Sequence, residues 1–144
     1  MSSIASLKPA THFLKLSEEG QPFMQGSLCK FCRHTFLGER DHCAKCFARD
    51  CMSICQLSDK GTLYNFTIVY RSYPNITVPF VSAIVDLEGG GTVKGNLLDV
   101  GSNPTDIEFD MPIDVVFKEA TIATPAGAGY FSHFFLPAKN NRKL

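Results

Sequence analysis

Two Cys-x-x-Cys pairs lie within one stretch of 18 residues and constrain this chain more than any other feature; they are Cys29 with Cys32 and Cys43 with Cys46. Each pair forms a tight turn, here called a knuckle, that directs two thiolates at one point. Two knuckles complete the tetrahedral sulfur cage that zinc accepts. Four protein ligands leave no open coordination position, so the spacing predicts a structural zinc site in a rubredoxin-like ribbon.

Two other interpretations of the four cysteines are weaker. Disulfides need an oxidising compartment, and residues 1–10 lack the apolar run of a signal peptide. Iron also binds to four thiolates and would make the protein an electron carrier, but no motif for a redox partner accompanies the cluster. Zinc is therefore the favoured ion.

Cys51 and Cys55 follow the second pair closely. Either could replace Cys46 as a ligand in principle, but only Cys46 gives a second short knuckle. We interpret both as small buried apolar residues, because free cysteine behaves in that way. A nucleophilic role would need a neighbouring base, and His34 and His42 in the loop between the pairs keep that alternative open.

Composition and charge limit the class of protein. A chain of 144 residues can bury a real core, and its hydrophobic fraction of 44% is ordinary for a globular protein. No apolar run reaches the roughly 20 residues of a membrane helix, so we expect a cytoplasmic protein without membrane contact.

Residues 29–51 carry five basic and three acidic residues, a net charge of +2, whereas residues 56–137 carry four basic and nine acidic residues, a net charge of −5. A surface that follows a nucleic-acid backbone needs the opposite sign.

Local patterns predict one helix and then strands. Residues 10–20 fit a short helix with Thr11 as its cap, an apolar stripe that includes Leu14 and Leu16, and Gly20 at its end. Further along, β-branched and aromatic runs predict five strands at 62–70, 79–87, 92–100, 113–122 and 130–136. Residues 88–91 are a hairpin signal, and residues 124–129 are a flexible connector.

Five strands with a break before the fourth favour a small Greek-key barrel of the OB-fold type. A generic β-sandwich would need about seven strands. The predicted architecture is mainly β, with a helical segment at 1–25, a zinc ribbon at 26–55, an OB-fold barrel at 56–138 and a tail at 139–144.

Several of these runs together resemble a known family. The two cysteine pairs, Arg40 three residues before the second pair, and the stretches 60–70, 79–87 and 111–117 are similar to the zinc-ribbon plus OB-fold proteins that partner thiolases and acyl-CoA synthases. The similarity extends over about residues 10–137.

Family members tend to have glycine where this chain has Arg33 and Phe47, and Pro-Pro near Gly38. Because glycine reaches positive φ without a Cβ clash, we expect strain or a different turn at Arg33 and Phe47.

The resemblance implies an accessory subunit that is not itself catalytic. Such proteins form hetero-oligomers with a thiolase-like subunit that holds the catalytic residues, and they help to form the site for coenzyme A or acyl-CoA. Coenzyme A requires basic groups beside an aromatic face. The candidate binding residues are Arg33, Arg40, Lys45 and Arg49, near Phe31, Phe36 and Phe47. The alternative, in which these phenylalanines fill a metal-centred core and the charges are solvated, remains open.

The last predicted strand carries aromatic residues on both faces. Alternation places Phe131, His133 and Phe135 together on one face, and Tyr130 and Phe134 on the other. We predict that the face of Phe131, His133 and Phe135 contacts the partner subunit, because apolar patches of this kind mark interfaces. Coverage of the outer face by the ribbon or the helix is the alternative.

Two further classes of function are less favoured. An OB-fold with a zinc ribbon can bind single-stranded nucleic acid, but the net charge of −5 on residues 56–137 opposes that function. A free-standing enzyme would need a paired acid and base, a phosphate loop or a nucleophile triad, and the sequence contains none of these.

Overall fold

The computed structural model describes residues 4–120 and 129–139, and most of their regular structure is β-strand. The strands are β1 (Lys8–Pro9), β2 (Leu14–Leu16), β3 (Pro22–Cys29), β4 (Thr35–Leu37), β5 (Met52–Gln56), β6 (Lys60–Val69), β7 (Phe80–Leu87), β8 (Thr92–Leu97), β9 (Pro112–Ala120) and β10 (Tyr130–Pro137). Two short 3-10 turns cover Ile4–Ser6 and Pro104–Asp106. Apart from Gly129 and Lys139, the predicted connector 124–129 and tail 139–144 lie outside the described residues.

Strands β6 to β10 close into a five-stranded barrel, here called the barrel. The order is β10-β8-β7-β6-β9, and β9 pairs with β10 to close the ring. All contacts are antiparallel except β8 with β10, which run parallel at Phe135 and Leu97. The predicted OB-fold barrel is confirmed.

Alternation along the strands fills the barrel interior. Buried and half-buried residues alternate along β7 and β10, as expected for strands with one face in a core. Phe131 and Phe135 of β10 are 0% exposed and are the largest fully buried side chains. The predicted alternation of β10 is correct, but the predicted partner interface at Phe131, His133 and Phe135 is wrong, because this face points into the core.

The predicted helix at 10–20 is also wrong. Residues 14–16 form β2, in which Leu14 pairs with Met24 of β3 and the chain reverses near Gly20 at φ 81°. Leu14 is buried, Lys15 is exposed and Leu16 is half-buried, which is the two-residue period of a strand. Burial of Leu14 and Met24 in the barrel's apolar cluster stabilises this hairpin.

Strand β3 is the centre of a second sheet and pairs with β2, β4 and β5. Residues 22–56, which include β3, β4, β5 and both knuckles, are here called the ribbon. The β7–β8 hairpin packs closely on the ribbon at Gly90, where an added Cβ would lie 2.6 Å from the Cβ of Thr35. Gly90 has φ 119°, so glycine satisfies both the turn and the contact.

Candidate metal centre

Each Cys-x-x-Cys pair folds into the same hydrogen-bonded knuckle. In the first, Arg33 N–H donates to the Cys29 carbonyl at 3.0 Å and Cys32 N–H donates to Cys29 Sγ at 3.5 Å. In the second, Phe47 N–H donates to the Cys43 carbonyl at 2.9 Å and Cys46 N–H donates to Cys43 Sγ at 3.4 Å. Because β3 ends at Cys29, the central strand of the ribbon sets the position of the first knuckle.

The four predicted ligands meet at one point. The Sγ atoms of Cys29, Cys32, Cys43 and Cys46 all lie within 4.8 Å of one another. Cys29 Sγ lies 3.7 Å from Cys46 Sγ, and Cys32 Sγ lies 3.5 Å from Cys43 Sγ. A tetrahedral zinc site with Zn–S bonds of about 2.3 Å has sulfur–sulfur edges of about 3.8 Å. The spacing therefore fits a metal ion held by four sulfur ligands.

Both knuckles end on a residue with left-handed backbone. Arg33 has φ 66° and Phe47 has φ 64°. These are the two positions where the resembled family tends to have glycine, and the expected strain is confirmed. A residue with a Cβ loses roughly 1–2 kcal/mol in this conformation.

The thiols ionise unequally. The Cys32 N–H lowers the pKa of Cys29 to about 6, with further help from the Phe31 N–H and the Cys51 and Cys32 thiols, against the effect of burial. Burial opposes ionisation of Cys43, but hydrogen bonds from the Cys46 and Lys45 N–H groups lower its pKa.

Cys46 shows the opposite behaviour. The Ala48 N–H favours its thiolate, but burial and the three neighbouring thiols raise the pKa of Cys46 to about 12. Four negative sulfurs at these distances repel one another, and a bound cation removes that repulsion. The donor set therefore suits a soft divalent metal.

A fifth sulfur, that of Cys51, adjoins the cluster; the spacing of the cysteines leaves Cys51 open as a substitute for Cys46 but does not predict this contact. Cys51 Sγ lies 3.6 Å from Cys29 Sγ and 3.4 Å from the Ala48 carbonyl. Cys51 comes this close because β5 pairs with β3, with Met52 opposite Cys29. That pairing is a signal that only the folded sheet provides. The prediction that Cys51 is buried is confirmed at 1% exposure, whereas Cys55 is only half-buried.

The structure gives no support to a nucleophilic thiol. Within residues 4–120 and 129–139, neither His34 nor His42 hydrogen-bonds to Cys51 or Cys55, and the His34 ring instead packs on Phe36. Burial raises the pKa of both thiols, which opposes formation of the thiolate that a nucleophile requires.

The four candidate basic residues are all exposed, and Arg33 and Arg40 line different cavities. Arg33 lines a cavity of about 590 Å³ between the ribbon and the β7–β8 hairpin. Arg40 lines a different cavity of about 400 Å³. The three nearby phenylalanines also differ in their surroundings. Phe31 and Phe47 are 72% and 81% exposed, whereas Phe36 packs against the cysteine cluster.

Among the four candidates, Arg40 is the one whose side chain stacks on an aromatic ring. Its guanidinium carbon lies 4.7 Å from the centre of the Phe36 ring. His12, Phe13 and His34 line the same cavity. The loop before Arg40 is fixed by buried Ser27, whose Oγ donates to the Gly38 carbonyl at 2.7 Å and accepts from Arg40 N–H at 3.1 Å.

His133 lies in the barrel interior and is 8% exposed. Its Nε2 lies 2.6 Å from the Lys94 carbonyl, so Nε2 carries the proton because a carbonyl only accepts. Buried Nδ1 has no hydrogen-bond partner among the described residues. Burial lowers the pKa of His133, against a smaller opposite effect of the Lys94 carbonyl. His133 is therefore a neutral packing residue in this structure.

Comparison with known proteins gives relatives of the same architecture. Residues 55–118 match the family model described as the C-terminal OB-fold domain of ChsH2. A DUF35 domain-containing scaffold protein of Methanocaldococcus jannaschii is 27% identical over 117 residues, which cover 80% of this chain and 82% of that protein. A protein of the same description from Methanothermobacter thermautotrophicus is 26% identical over 98 residues, which cover 67% of this chain and 72% of that protein.

Two solved structures share the fold. A chain of the Ltp2–ChsH2(DUF35) aldolase matches with a TM-score of 0.59 at 23% identity and covers 80% of this chain and 84% of its own length. A DUF35-family protein of unknown function from Sulfolobus solfataricus matches with a TM-score of 0.52 at 14% identity, covering 79% of this chain and 75% of that one. Among the described residues, no helix is long and apolar enough to cross a membrane.

Proposed function

We propose that this protein is a non-catalytic zinc-ribbon and OB-fold subunit of a thiolase-type acyl-CoA enzyme in the cytoplasm. The observation that carries the proposal is that most of the chain, ribbon and barrel together, is similar to proteins described as scaffolds. The structural neighbour described as an Ltp2–ChsH2(DUF35) aldolase supports a catalytic partner of that kind. A scaffold role also agrees with four sulfur ligands, which leave no coordination position on the ion open to substrate.

The ion in this proposal is zinc. Cys29, Cys32, Cys43 and Cys46 would hold it, and the ion would supply a charge-compensated crosslink between the two knuckles. The chain's own residues prepare the site: knuckle N–H groups donate to Cys29 and Cys43, and strand β3 fixes where the first knuckle begins.

Assembly with a catalytic subunit is tested by co-expression with a thiolase-like protein encoded in the same genome. The complex is expected to co-purify and to cleave or condense acyl-CoA, whereas this chain by itself is expected to be inactive. Thiolysis by the isolated chain would contradict the proposal, and so would failure of every such candidate to bind.

Coenzyme A binding in the complex is assigned first to Arg40. Its guanidinium stands over Phe36 at the edge of a cavity lined by His12 and His34, which gives a positioned cation for a phosphate. Lys45, Arg33 and Arg49 are secondary candidates, because they are exposed and Arg33 lines a different cavity from Arg40.

A kinetic comparison tests this assignment. Loss of one charge-assisted phosphate contact costs about 1.5–3 kcal/mol, so Arg40→Ala should raise the KM of the complex for coenzyme A roughly tenfold to a hundredfold. Arg40→Lys keeps the charge and should recover part of the loss. Lys45→Ala is the matched control on the ribbon surface. An equal effect of Lys45→Ala and Arg40→Ala would show that charge on the ribbon, rather than the Arg40 cavity, is what binds.

The finer proposal for the substrate is benzoylsuccinyl-CoA, with this chain as the small subunit of the thiolase of anaerobic toluene degradation. General similarity along the chain supports it, without a diagnostic motif. Steady-state assays of the assembled complex with benzoylsuccinyl-CoA and with acetoacetyl-CoA would separate this substrate from a simple 3-oxoacyl-CoA.

Single-stranded nucleic-acid binding is the alternative, and exposed aromatic residues favour it. Tyr64, Tyr70 and Tyr73 are 62%, 64% and 80% exposed on β6 and the loop that follows. Bases could stack on these rings. The net charge of −5 on residues 56–137 opposes this function, and a filter-binding titration with single-stranded DNA at low salt tests it.

A further inference from the structure

A fifth sulfur, that of Cys51, lies against the four-cysteine group at Cys29. Cys51 Sγ lies 3.6 Å from Cys29 Sγ, which falls between the 3.5 Å and 3.7 Å that separate neighbouring pairs of the four ligands. The Cys51 thiol thus stands at the distance from Cys29 that two ligands of one tetrahedral ion have.

The placement of Cys51 spans the two knuckles. It contacts Cys29 of the first knuckle, and its Sγ donates to the Ala48 carbonyl at 3.4 Å. The same carbonyl accepts the Cys43 N–H of the second knuckle at 3.1 Å. Backbone bonds hold Cys51 in place, since its carbonyl accepts the Lys30 N–H at 2.8 Å.

Exposure distinguishes Cys46 from Cys51. Cys46 is the exposed member of the four-cysteine group, whereas Cys51 is 1% exposed. A ligand sulfur at the surface is open to alkylation, oxidation and competition by water. The other contacts of the Cys51 thiol, to Ala48 and to Met52 Sδ at 3.8 Å, are weak for a donor and give little resistance to rotation.

We propose that Cys51 is an alternate ligand of the metal centre, which takes the place of Cys46 so that four thiolates continue to hold the ion. This inference rests on the proposed metal site. In the exchange the Cys51 thiol gives up its proton as it becomes a ligand, and the Cys46 sulfur takes up a proton as it leaves. The charge of the centre is unchanged, so the second knuckle can open at its exposed end without loss of the ion.

Cobalt(II) substitution in the full chain tests the proposal, because the sulfur-to-metal charge-transfer absorption counts thiolate ligands. We expect Cys46→Ser to keep one metal per chain and the four-thiolate spectrum of the unmodified protein. The double variant Cys46→Ser, Cys51→Ala should show a three-thiolate spectrum and should release metal to a chelator at least tenfold faster than Cys46→Ser.

Two controls isolate the role of Cys51. Cys55 lies in β5 near Cys51 and is half-buried, so Cys46→Ser, Cys55→Ala removes the same number of cysteines and should behave like Cys46→Ser. Cys51→Ala with Cys46 intact should keep four thiolates and a release rate within about twofold of the unmodified protein, which excludes a simple packing defect.

Three results would overturn the inference. A three-thiolate spectrum in Cys46→Ser, or loss of its metal, would show that Cys51 does not replace the missing ligand. Equal metal release by Cys46→Ser and by the Cys46→Ser, Cys51→Ala variant would show the same. An unmodified protein that binds no metal would overturn the proposed metal site together with the alternate ligand, so the two failures are distinguishable.

Discussion

The barrel and the ribbon are stabilised by different means. Among the described residues, fifteen buried apolar side chains form one continuous cluster that fills the barrel and includes Met24 of the ribbon and Leu14 and Leu57 beside it. The buried cluster of the ribbon consists of Cys29, Cys43 and Cys51. Half-buried Cys32, Phe36, Ala48 and Met52 pack around that cluster.

This difference follows from size. A short segment cannot bury enough apolar surface to offset its loss of conformational entropy, so small modules depend on a metal or on disulfides. The barrel needs no such crosslink. One chain therefore contains a region whose order depends on thiolate chemistry and a region whose order depends on the hydrophobic effect.

Disruption of the metal centre should have the largest effect on stability, and it should unfold the knuckles while the barrel stays folded. Metal binding in small zinc modules is worth about 10–16 kcal/mol of apparent free energy, which is comparable with the stability of a whole domain. We expect Cys43→Ser or a strong chelator to remove amide-exchange protection from the knuckles while β7 and β8 stay protected. Cys55→Ala serves as the control for loss of a cysteine. Simultaneous loss of protection in β7 and β8 would show that ribbon and barrel unfold as one unit.

A cavity in the barrel should have the next largest effect on stability. It should destabilise the barrel and leave the metal centre of the ribbon intact. Phe135 is 0% exposed, and truncation of a buried phenylalanine costs about 3–5 kcal/mol. Phe135→Ala should lower the free energy of unfolding of the barrel by that amount in urea and leave the metal stoichiometry unchanged. Tyr73→Ala, at a side chain 80% exposed, should change stability by no more than about 0.5 kcal/mol. Metal loss in Phe135→Ala would contradict the independence of the two regions.

His133 should make the stability of the barrel pH-dependent. Its pKa is lowered in the folded state by burial among Phe13 and Phe135, so the unfolded chain binds the proton more tightly. Stability is therefore full above the unfolded pKa of about 6.5 and falls as pH drops below it, at no more than about 1.4 kcal/mol per pH unit for one proton. Below the folded pKa the loss is complete. Urea unfolding between pH 7.5 and 5 measures this slope.

Substitution shows whether His133 is the responsible group. His133→Phe keeps an aromatic ring beside Phe13 and leaves the Lys94 carbonyl without its donor, so it should be less stable at pH 7.5. The part of the slope due to His133 should disappear. His12→Gln, at a second histidine outside the barrel core, is the matched control. An unchanged slope in His133→Phe would assign the pH dependence to other groups.

Regular patterns explain what the sequence could predict. The spacing of Cys29, Cys32, Cys43 and Cys46 is local, and all five barrel strands start within about two residues of their predicted positions, so the sulfur cage and the barrel could be predicted from the sequence. The helix at 10–20 failed because Leu14 and Leu16 satisfy a strand period as well as a helical stripe. Burial against Met24, which is a tertiary contact, decides between the two.

Contacts between distant segments could not be predicted in the same way. The alternation of β10 is visible in the sequence, but which face points inward depends on closure of the barrel with β8 and β9. The position of Cys51 beside Cys29 depends on the pairing of β5 with β3. In each case the missing information was the pairing partner of the strand.

Backbone strain gives the smallest expected effect, and it also differs between the two regions. At left-handed positions the barrel has Asp99 and Asp110 and the ribbon has Asp50, a residue type that tolerates positive φ, whereas the two knuckles end on Arg33 and Phe47. Arg33→Gly removes a cost of roughly 1–2 kcal/mol in the folded ribbon but adds about 0.5–1 kcal/mol of entropy to the unfolded chain. We expect a net gain of up to about 1 kcal/mol, or about a fivefold increase in apparent metal affinity in a competition assay.

Arg33→Lys, which keeps the charge and the Cβ, should show no gain, and Arg33→Val should bind metal more weakly because a β-branched residue resists positive φ further. Weaker metal binding by Arg33→Gly would mean that contacts of the arginine side chain in the cavity beside the β7–β8 hairpin contribute more than the strain at its backbone costs.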